Sequence, residues 1–166
     1  MKLLTLELSG IGPFAQCQYI DFERFTDSGL FLLRGSTGSG KTTLIDAIVF
    51  ALYGDVSSGS EGVKNRLRSS YCGPNDPSFV TLVFEVSSGI YRVRRTPKYV
   101  KEGRSTPVNP TLVLERVVRD SDDPSGFSTV EPLSRSIMDA QSMMTTFIGL
   151  TKDQFLQTVI LPQGDF

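Results

Sequence analysis

No histidine occurs anywhere in the 166 residues. That absence removes histidine-bearing zinc sites, the Ser-His-Asp triad and the Cys-His pair together. Cysteine is scarce. Cys17 and Cys72 are too few for a disulfide framework, and a reduced, cytoplasmic protein is the expectation. Long apolar runs are missing as well. The longest, Ala47 to Tyr53, is far shorter than a bilayer span, and Leu3 to Leu8 is interrupted by Thr5 and Glu7, so neither a membrane segment nor a signal peptide is expected. Neither sign of charge is in excess: 17 Lys and Arg stand against 18 Asp and Glu, for a net charge of −1. Bulk charge therefore announces no nucleic-acid partner, although a local patch can still serve one. The length and the 39% hydrophobic content suit one domain with a core of its own.

What is present is a phosphate-binding loop. Gly35-Ser36-Thr37-Gly38-Ser39-Gly40-Lys41-Thr42-Thr43 fits G-x-x-x-x-G-K-[ST]. Glycines let the backbone curl so that successive N–H groups converge on an anion. Lys41 can reach the outer phosphates as a mobile point charge, and the Thr42 hydroxyl can ligate Mg²⁺. The flanks suit the motif. Leu30-Phe31-Leu32-Leu33 reads as a short buried strand. Thr43 to Tyr53 is apolar on nearly every face and reads as a buried helix, with Gly54 as its C-cap.

Along the chain, Leu4, Leu6 and Leu8 alternate with polar residues and predict a half-buried strand. Gly10 to Pro13 turns the chain, and Tyr19-Ile20-Asp21-Phe22 reads as its returning partner. With the strand before the phosphate loop this gives a mixed sheet. Val80 to Val86 predicts a strand that hairpins through Ser87-Ser88-Gly89 into Ile90 to Arg94. Thr111 to Val118 predicts another strand, followed by an acidic turn at Asp120, Asp122, Asp123 and Pro124. Pro132 to Ile148 reads as one helix from the spacing of Leu133, Ile137, Ala140, Met144 and Phe147. Thr151 with Gln154 is a capping-box signature for a last short helix.

Cations concentrate at Arg92, Arg94, Arg95, Lys98, Lys101 and Arg104, with Tyr91 and Tyr99 beside them. Such a strip can neutralise duplex phosphates, each contact steepening the salt dependence of binding. It reads equally well as a charged hairpin edge that discourages sheet-to-sheet pairing.

Three stretches together resemble a known family. They are Ile11-Gly12-Pro13-Phe14, the phosphate loop continuing into Ile45 to Gly54, and the closing Leu161-Pro162-Gln163-Gly164-Asp165-Phe166. All three are similar to the N-terminal part of the SbcC family, SMC-like ATPases of the ABC superfamily. The middle, about Val63 to Thr146, matches only in its pattern of strands and turns.

The resemblance implies an α/β P-loop NTPase of the ABC/SMC head type, with residues 1–166 as its N-terminal lobe: a mixed sheet with antiparallel hairpins. It implies ATP and Mg²⁺ as ligands, Gln163 as a Q-loop glutamine reaching the metal, and Lys41 and Gln163 as the groups at the reacting phosphate. It also implies a C-terminal lobe beyond a long coiled coil, a second head, the nuclease SbcD and double-stranded DNA ends and hairpins as partners, and no membrane. In proteins similar to this one the region of Arg66 and Arg68 comes near the nucleotide. Phe14 suits either the base or the core. An acidic strand ending in Asp-Glu, a Leu-Ser-Gly-Gly signature and a late histidine are not found, so ATP hydrolysis is expected of a complete head and barely of this chain alone. Another SMC-like or RecF-like DNA-repair ATPase, a P-loop small-molecule or nucleotide kinase and an interaction module with a vestigial loop are the rival readings.

Overall fold

The computed structural model describes residues 1–25, 32–57, 67–100, 103 and 105–158. Strands β1 (Lys2–Ser9) and β2 (Gln18–Asp21) lead through a 3₁₀ turn at Phe22–Phe25 towards helix α1 (Lys41–Tyr53). Strands β3 (Phe79–Val86), β4 (Gly89–Thr96), β5 (Tyr99–Val100), β6 (Pro107–Val108), β7 (Thr111–Arg119) and β8 (Phe127–Ser134) follow. Helices α2 (Ile137–Ile148) and α3 (Lys152–Thr158) close the described chain. Six strands form one sheet in the order β2-β1-β3-β4-β7-β8, and β5 and β6 form a small ribbon of their own.

Every described strand pairing is antiparallel. The expected mixed sheet depends on the strand expected at Leu30–Leu33, which falls partly outside the described residues. Leu30 and Phe31 lie outside the described residues. Leu32 and Leu33 are in no strand, and Leu32 is 87% exposed. An apolar run becomes a strand only where another backbone pairs with it, and this one has no ladder partner among the described residues.

Helices α1 and α2 cover one face of the sheet. Side chains at every second position of the strands point towards them: Leu6 and Leu8 from β1, Leu82 and Phe84 from β3, Tyr91 and Val93 from β4, Leu112 and Leu114 from β7. Asp46 to Leu52 of α1 are all buried, which is why that segment can be apolar on every face. Each fully buried Leu or Ile there contributes about 1.5–3 kcal/mol. From α2, Ala140 and Met144 enter the same core, and the Phe147 ring stacks on Tyr91 with centroids 4.4 Å apart.

Leu4 departs from the simple alternation. The register between β1 and β3 shifts between Leu3 and Thr5. That bulge turns Leu4 away from Leu6 and Leu8, into a small cluster with Val83, Val117 and Phe127 on the opposite face.

The hairpin β3–β4, strand β7 and the acidic turn lie where the sequence placed them. The helix expected from Pro132 does not. Pro132, Leu133 and Ser134 complete β8, paired with β7, and α2 begins only at Ile137. Ser136 caps it, its hydroxyl accepting from the Asp139 N–H at 3.3 Å. Proline suits β8, an outer strand of the sheet. At α3 the capping box is complete: the Gln154 N–H donates to Thr151 Oγ1 at 3.3 Å, and the Thr151 N–H donates to Gln154 Oε1 at 3.0 Å.

An ionic clasp ties the start of β1 to the end of β7 across the 3₁₀ turn. Arg119 donates to both oxygens of Glu23 at 2.7 and 2.8 Å, and Lys2 donates at 3.2 Å. The Arg119 hydrogen bonds lead in holding the Glu23 carboxyl down to about 2, against an ordinary 4.5. A depressed carboxylate contributes stability above its unfolded value and loses it as pH falls through its folded value. Arg119 and Lys2 are half exposed, so solvent screening keeps the contribution small. Glu23→Gln is expected to cost up to about 1 kcal/mol near neutral pH. The deficit relative to the parent should shrink as pH falls from 4.5 towards 2, measured by urea unfolding across that range.

Candidate phosphate site

The described helices begin in two different ways. Helices α2 and α3 have hydroxyl caps, and each has an aspartate in its first turn. Helix α1 begins at Gly40, with no side-chain cap and no acidic residue in its first turn. A helix start leaves N–H groups without partners and carries the positive end of the dipole. At α1 no side chain among the described residues caps them.

The loop ahead of α1 has the shape for it. Gly38 and Gly40 take left-handed φ values of 82° and 91°, which side-chain-bearing residues rarely adopt. A Cβ on Gly38 would meet nothing within 4 Å, so that part of the loop faces open space. The Lys41 ammonium bends back over the loop, donating to the carbonyls of Gly35 and Ser36 at 2.7 Å each, with Ser39 Oγ 3.4 Å away. Ser36, Thr37 and Thr42 are exposed. Lys41 thus draws Gly35, Ser36 and Ser39 together into one turn at the start of α1.

Thr43, expected as part of the cradle, has its side chain turned away from it. A Cβ on Gly12 would stand 2.6 Å from Thr43 Cγ2, so the Thr43 side chain packs under the Gly12 turn. Only its backbone N–H remains to offer the cradle.

That turn is the floor of the site. Ile11 and Phe14 exchange two backbone hydrogen bonds, 3.0 and 2.8 Å, which close Ile11–Phe14 into a tight loop. Gly12 N–H donates to Leu67 O at 2.9 Å, and Ser69 N–H donates to Gly10 O at 2.8 Å, so the segment at 67–69 braces it from behind. A Cβ on Gly40 would lie 2.5 Å from the Phe14 ring and 3.1 Å from Pro13 Cγ. Phe14 is therefore a wall beneath the loop, packed on the main core. Sequence reasoning named this turn without reading its role; the positive φ values of Gly10 and Gly12, in a Gly-x-Gly-Pro stretch, are the signal that a backbone passes close by.

Asp46 was also missed. It is buried in α1 and accepts from the Ser57 N–H at 2.9 Å and from the Ser57 hydroxyl, anchoring the segment that follows α1. Arg66 and Gln163 lie outside the described residues. The Arg68 guanidinium donates to Gly73 O and Asp76 O at 2.6 and 3.1 Å and lies over the Tyr99 ring at 4.1 Å. It holds the 73–77 loop rather than facing the phosphate loop.

The cationic strip does not survive as one surface. Arg95 points to the core side of β4, like Tyr91 and Val93, and is 5% exposed. Strand alternation separates it from Arg92 and Arg94. Those two lie on the outer face, where Arg92 donates to Glu115 Oε2 at 2.9 Å and to Thr129 Oγ1 at 2.6 Å. Arg94 donates to Thr81 Oγ1 at 2.9 Å, lies over the Phe79 ring and stands 3.8 Å from Glu7. Lys98 is exposed; Lys101 and Arg104 lie outside the described residues. Among the described residues no group of three or more His, Cys, Asp or Glu could hold a metal, and no helix is long and apolar enough to cross a membrane.

A glycine loop ahead of a helix with no side-chain cap, with a lysine folded over it, fits a P-loop NTPase fold. The chain belongs to the AAA domain family, which matches residues 5–166. Over all 166 residues it is 35% identical to the SbcC subunit of the SbcCD nuclease of Staphylococcus aureus strain MRSA252, and equally so to that of strain JH9. The similarity to SbcC expected from the sequence is thereby borne out. The chain spans 16% of the length of these relatives.

Gly40→Ala is expected to destabilise the fold by about 1–3 kcal/mol, through its left-handed backbone and the Phe14 ring. Gly38→Ala should lose less, since only its φ objects. Thermal unfolding of the two variants side by side checks the order.

Proposed function

We propose that the chain is the N-terminal lobe of an SbcC-like ATPase head of the ABC/SMC type, and that it binds ATP with Mg²⁺. The observation that carries this reading is the uncapped start of α1 beneath an open loop that holds the Lys41 ammonium. Lys41 and the first-turn N–H groups would hold the phosphates. On arrival of a triphosphate, Lys41 exchanges two neutral carbonyl partners for a charged one, and charge-assisted hydrogen bonds are the stronger kind. The exposed Thr42 hydroxyl and, by resemblance, Gln163 would hold Mg²⁺. When bound, the metal neutralises charge developing on the phosphates.

Three carboxylates are engaged elsewhere and not free to activate water. Glu7 and Glu115 lie on the outer sheet face near Arg94 and Arg92, and Asp46 is engaged with Ser57. We therefore assign hydrolysis to a complete head, in which this lobe joins its own C-terminal lobe and a second head. The relatives are named as part of the SbcCD nuclease. That name supports a role as one subunit beside an SbcD-type nuclease; the processing of double-stranded DNA ends and hairpins is what the resemblance to the SbcC family adds. Contact with DNA through Arg92 and Arg94 competes with their existing partners, and Arg95 takes no part.

Titration with a fluorescent ATP analogue and Mg²⁺ tests the reading. Lys41→Ala is expected to weaken binding by at least about tenfold without moving the unfolding midpoint. The chain alone should turn ATP over barely above the uncatalysed background. Unchanged affinity in Lys41→Ala, or brisk turnover by this chain that Lys41→Ala abolishes, would overturn it.

A further inference from the structure

The far end of α1 holds a second polar centre. Arg95 Nε donates to Ala51 O at 2.9 Å and Nη2 donates to Gln141 Oε1 at 2.5 Å, while Gln141 Nε2 donates to Leu52 O at 3.1 Å. Ala51 and Leu52 belong to the last turn of α1, whose carbonyls lack helical partners and carry the negative end of the dipole. Arg95 caps that end. No described carboxylate lies within ion-pair distance of it, and burial draws the guanidinium down to about 10.

Nη1 is the donor left over, with no hydrogen bond among the described residues. It stands 2.7 Å from the position a Cβ on Gly54 would take, so only glycine there keeps that side of the guanidinium uncovered. A cavity of about 520 Å³ opens over Arg95 and Gly54, with Ile137, Met138 and Ser142 of α2 along its wall. Met138 is 81% exposed and Ile137 40%. A buried cation at the floor and apolar side chains at the mouth is a two-part chemistry. A free anion would satisfy the first part and leave the second in water. Along a 13-residue helix the cavity is about 20 Å from the phosphate loop, so the two sites do not share a ligand.

We propose that this cavity docks a protein partner, receiving an Asp or Glu carboxylate on Arg95 Nη1 and a neighbouring apolar side chain against Ile137 and Met138. The charge is complementary: the rest of the guanidinium is buried and hydrogen-bonded, Nη1 faces the cavity with no acceptor among the described residues, and no described carboxylate pairs with it, so an incoming carboxylate would add a charge-assisted bond. Docking here does not require ATP in the phosphate loop.

The test uses the full chain with ¹³C-methyl methionine, observing Met138, and two capped dipeptides, acetyl-Leu-Glu-amide and acetyl-Leu-Gln-amide. The Glu peptide is expected to shift the Met138 methyl saturably by about 10 mM, with affinity about fivefold or more above that of the Gln peptide. Ser142→Glu, at an exposed position on the wall, should abolish the shift by supplying a carboxylate in place, while Ser142→Gln should retain it. Arg95 itself is left alone, because it caps α1. Equal shifts with both peptides would reduce the cavity to an apolar patch and overturn the proposal. So would the absence of any shift, a shift indifferent to Ser142→Glu, or competition by inorganic phosphate as strong as by the Glu peptide, which would assign a free-anion site.

Discussion

Gly40 rests on the Phe14 ring, and Thr43 rests under Gly12. Those two contacts fix where α1 begins relative to the sheet, and the geometry of the phosphate loop follows from them. The turn at Ile11–Phe14 is closed on itself by backbone hydrogen bonds and braced by residues 67–69. It continues directly from β1, whose Leu6 and Leu8 are completely buried in the core. The loop is therefore supported by the most deeply packed part of the molecule. A flexible loop would have to be ordered at the moment an anion arrived, at a cost in conformational entropy. This one has its C-terminal half seated beforehand.

Helix α1 has opposite requirements at its two ends, and the chain meets them differently. At the N-terminus no side chain among the described residues caps the helix, so donors and positive dipole remain available there. At the C-terminus Gly54 closes the backbone by donating to Phe50 O, and Arg95 and Gln141 take up the Ala51 and Leu52 carbonyls. Strand alternation on β4 sends Arg95 inward to do this and sends Arg92 and Arg94 outward. One run of arginines thus serves two faces with unlike chemistry: a helix cap inside, and a lattice of ion pairs and hydrogen bonds across the sheet outside.

Features set by a few adjacent residues were legible in the sequence. The glycine loop, the apolar helix with its Gly54 cap, the tight β3–β4 hairpin and the Thr151–Gln154 capping box each depend on local geometry alone. Features set by a distant partner were not. Phe127 to Ser134 is largely exposed and mixes Ser, Thr, Glu and Pro. Nothing in its own pattern marks a strand, and it becomes one by pairing with β7. The helical spacing of Leu133 with Ile137 then runs across a real boundary, which only Ser136 as a cap reveals. Leu4 kept the alternation of its neighbours in sequence and lost it in space, because a bulge is a property of two strands together. Arg95 counted as a surface cation by composition, although its parity with Tyr91 and Val93 already placed it on the buried side.

The lacing of α1 to the last two helices bears on how the two ends of the molecule communicate. Tyr53 donates to Leu150 O at 3.1 Å, Lys152 pairs with Asp55 at 2.8 Å, and Gln141 bridges Arg95 to Leu52. The Tyr53 and Phe155 rings meet at 5.6 Å. Burial pushes the Tyr53 hydroxyl up to about 12, so it remains a donor to Leu150 throughout the physiological range. Close-packed interiors transmit displacement rather than absorb it. These contacts tie the end of α1 to α2 and α3 as one body. On the proposed reading, a displacement of α1 by a bound triphosphate would reach the cavity over Arg95, and by linkage any such coupling would be equal in both directions.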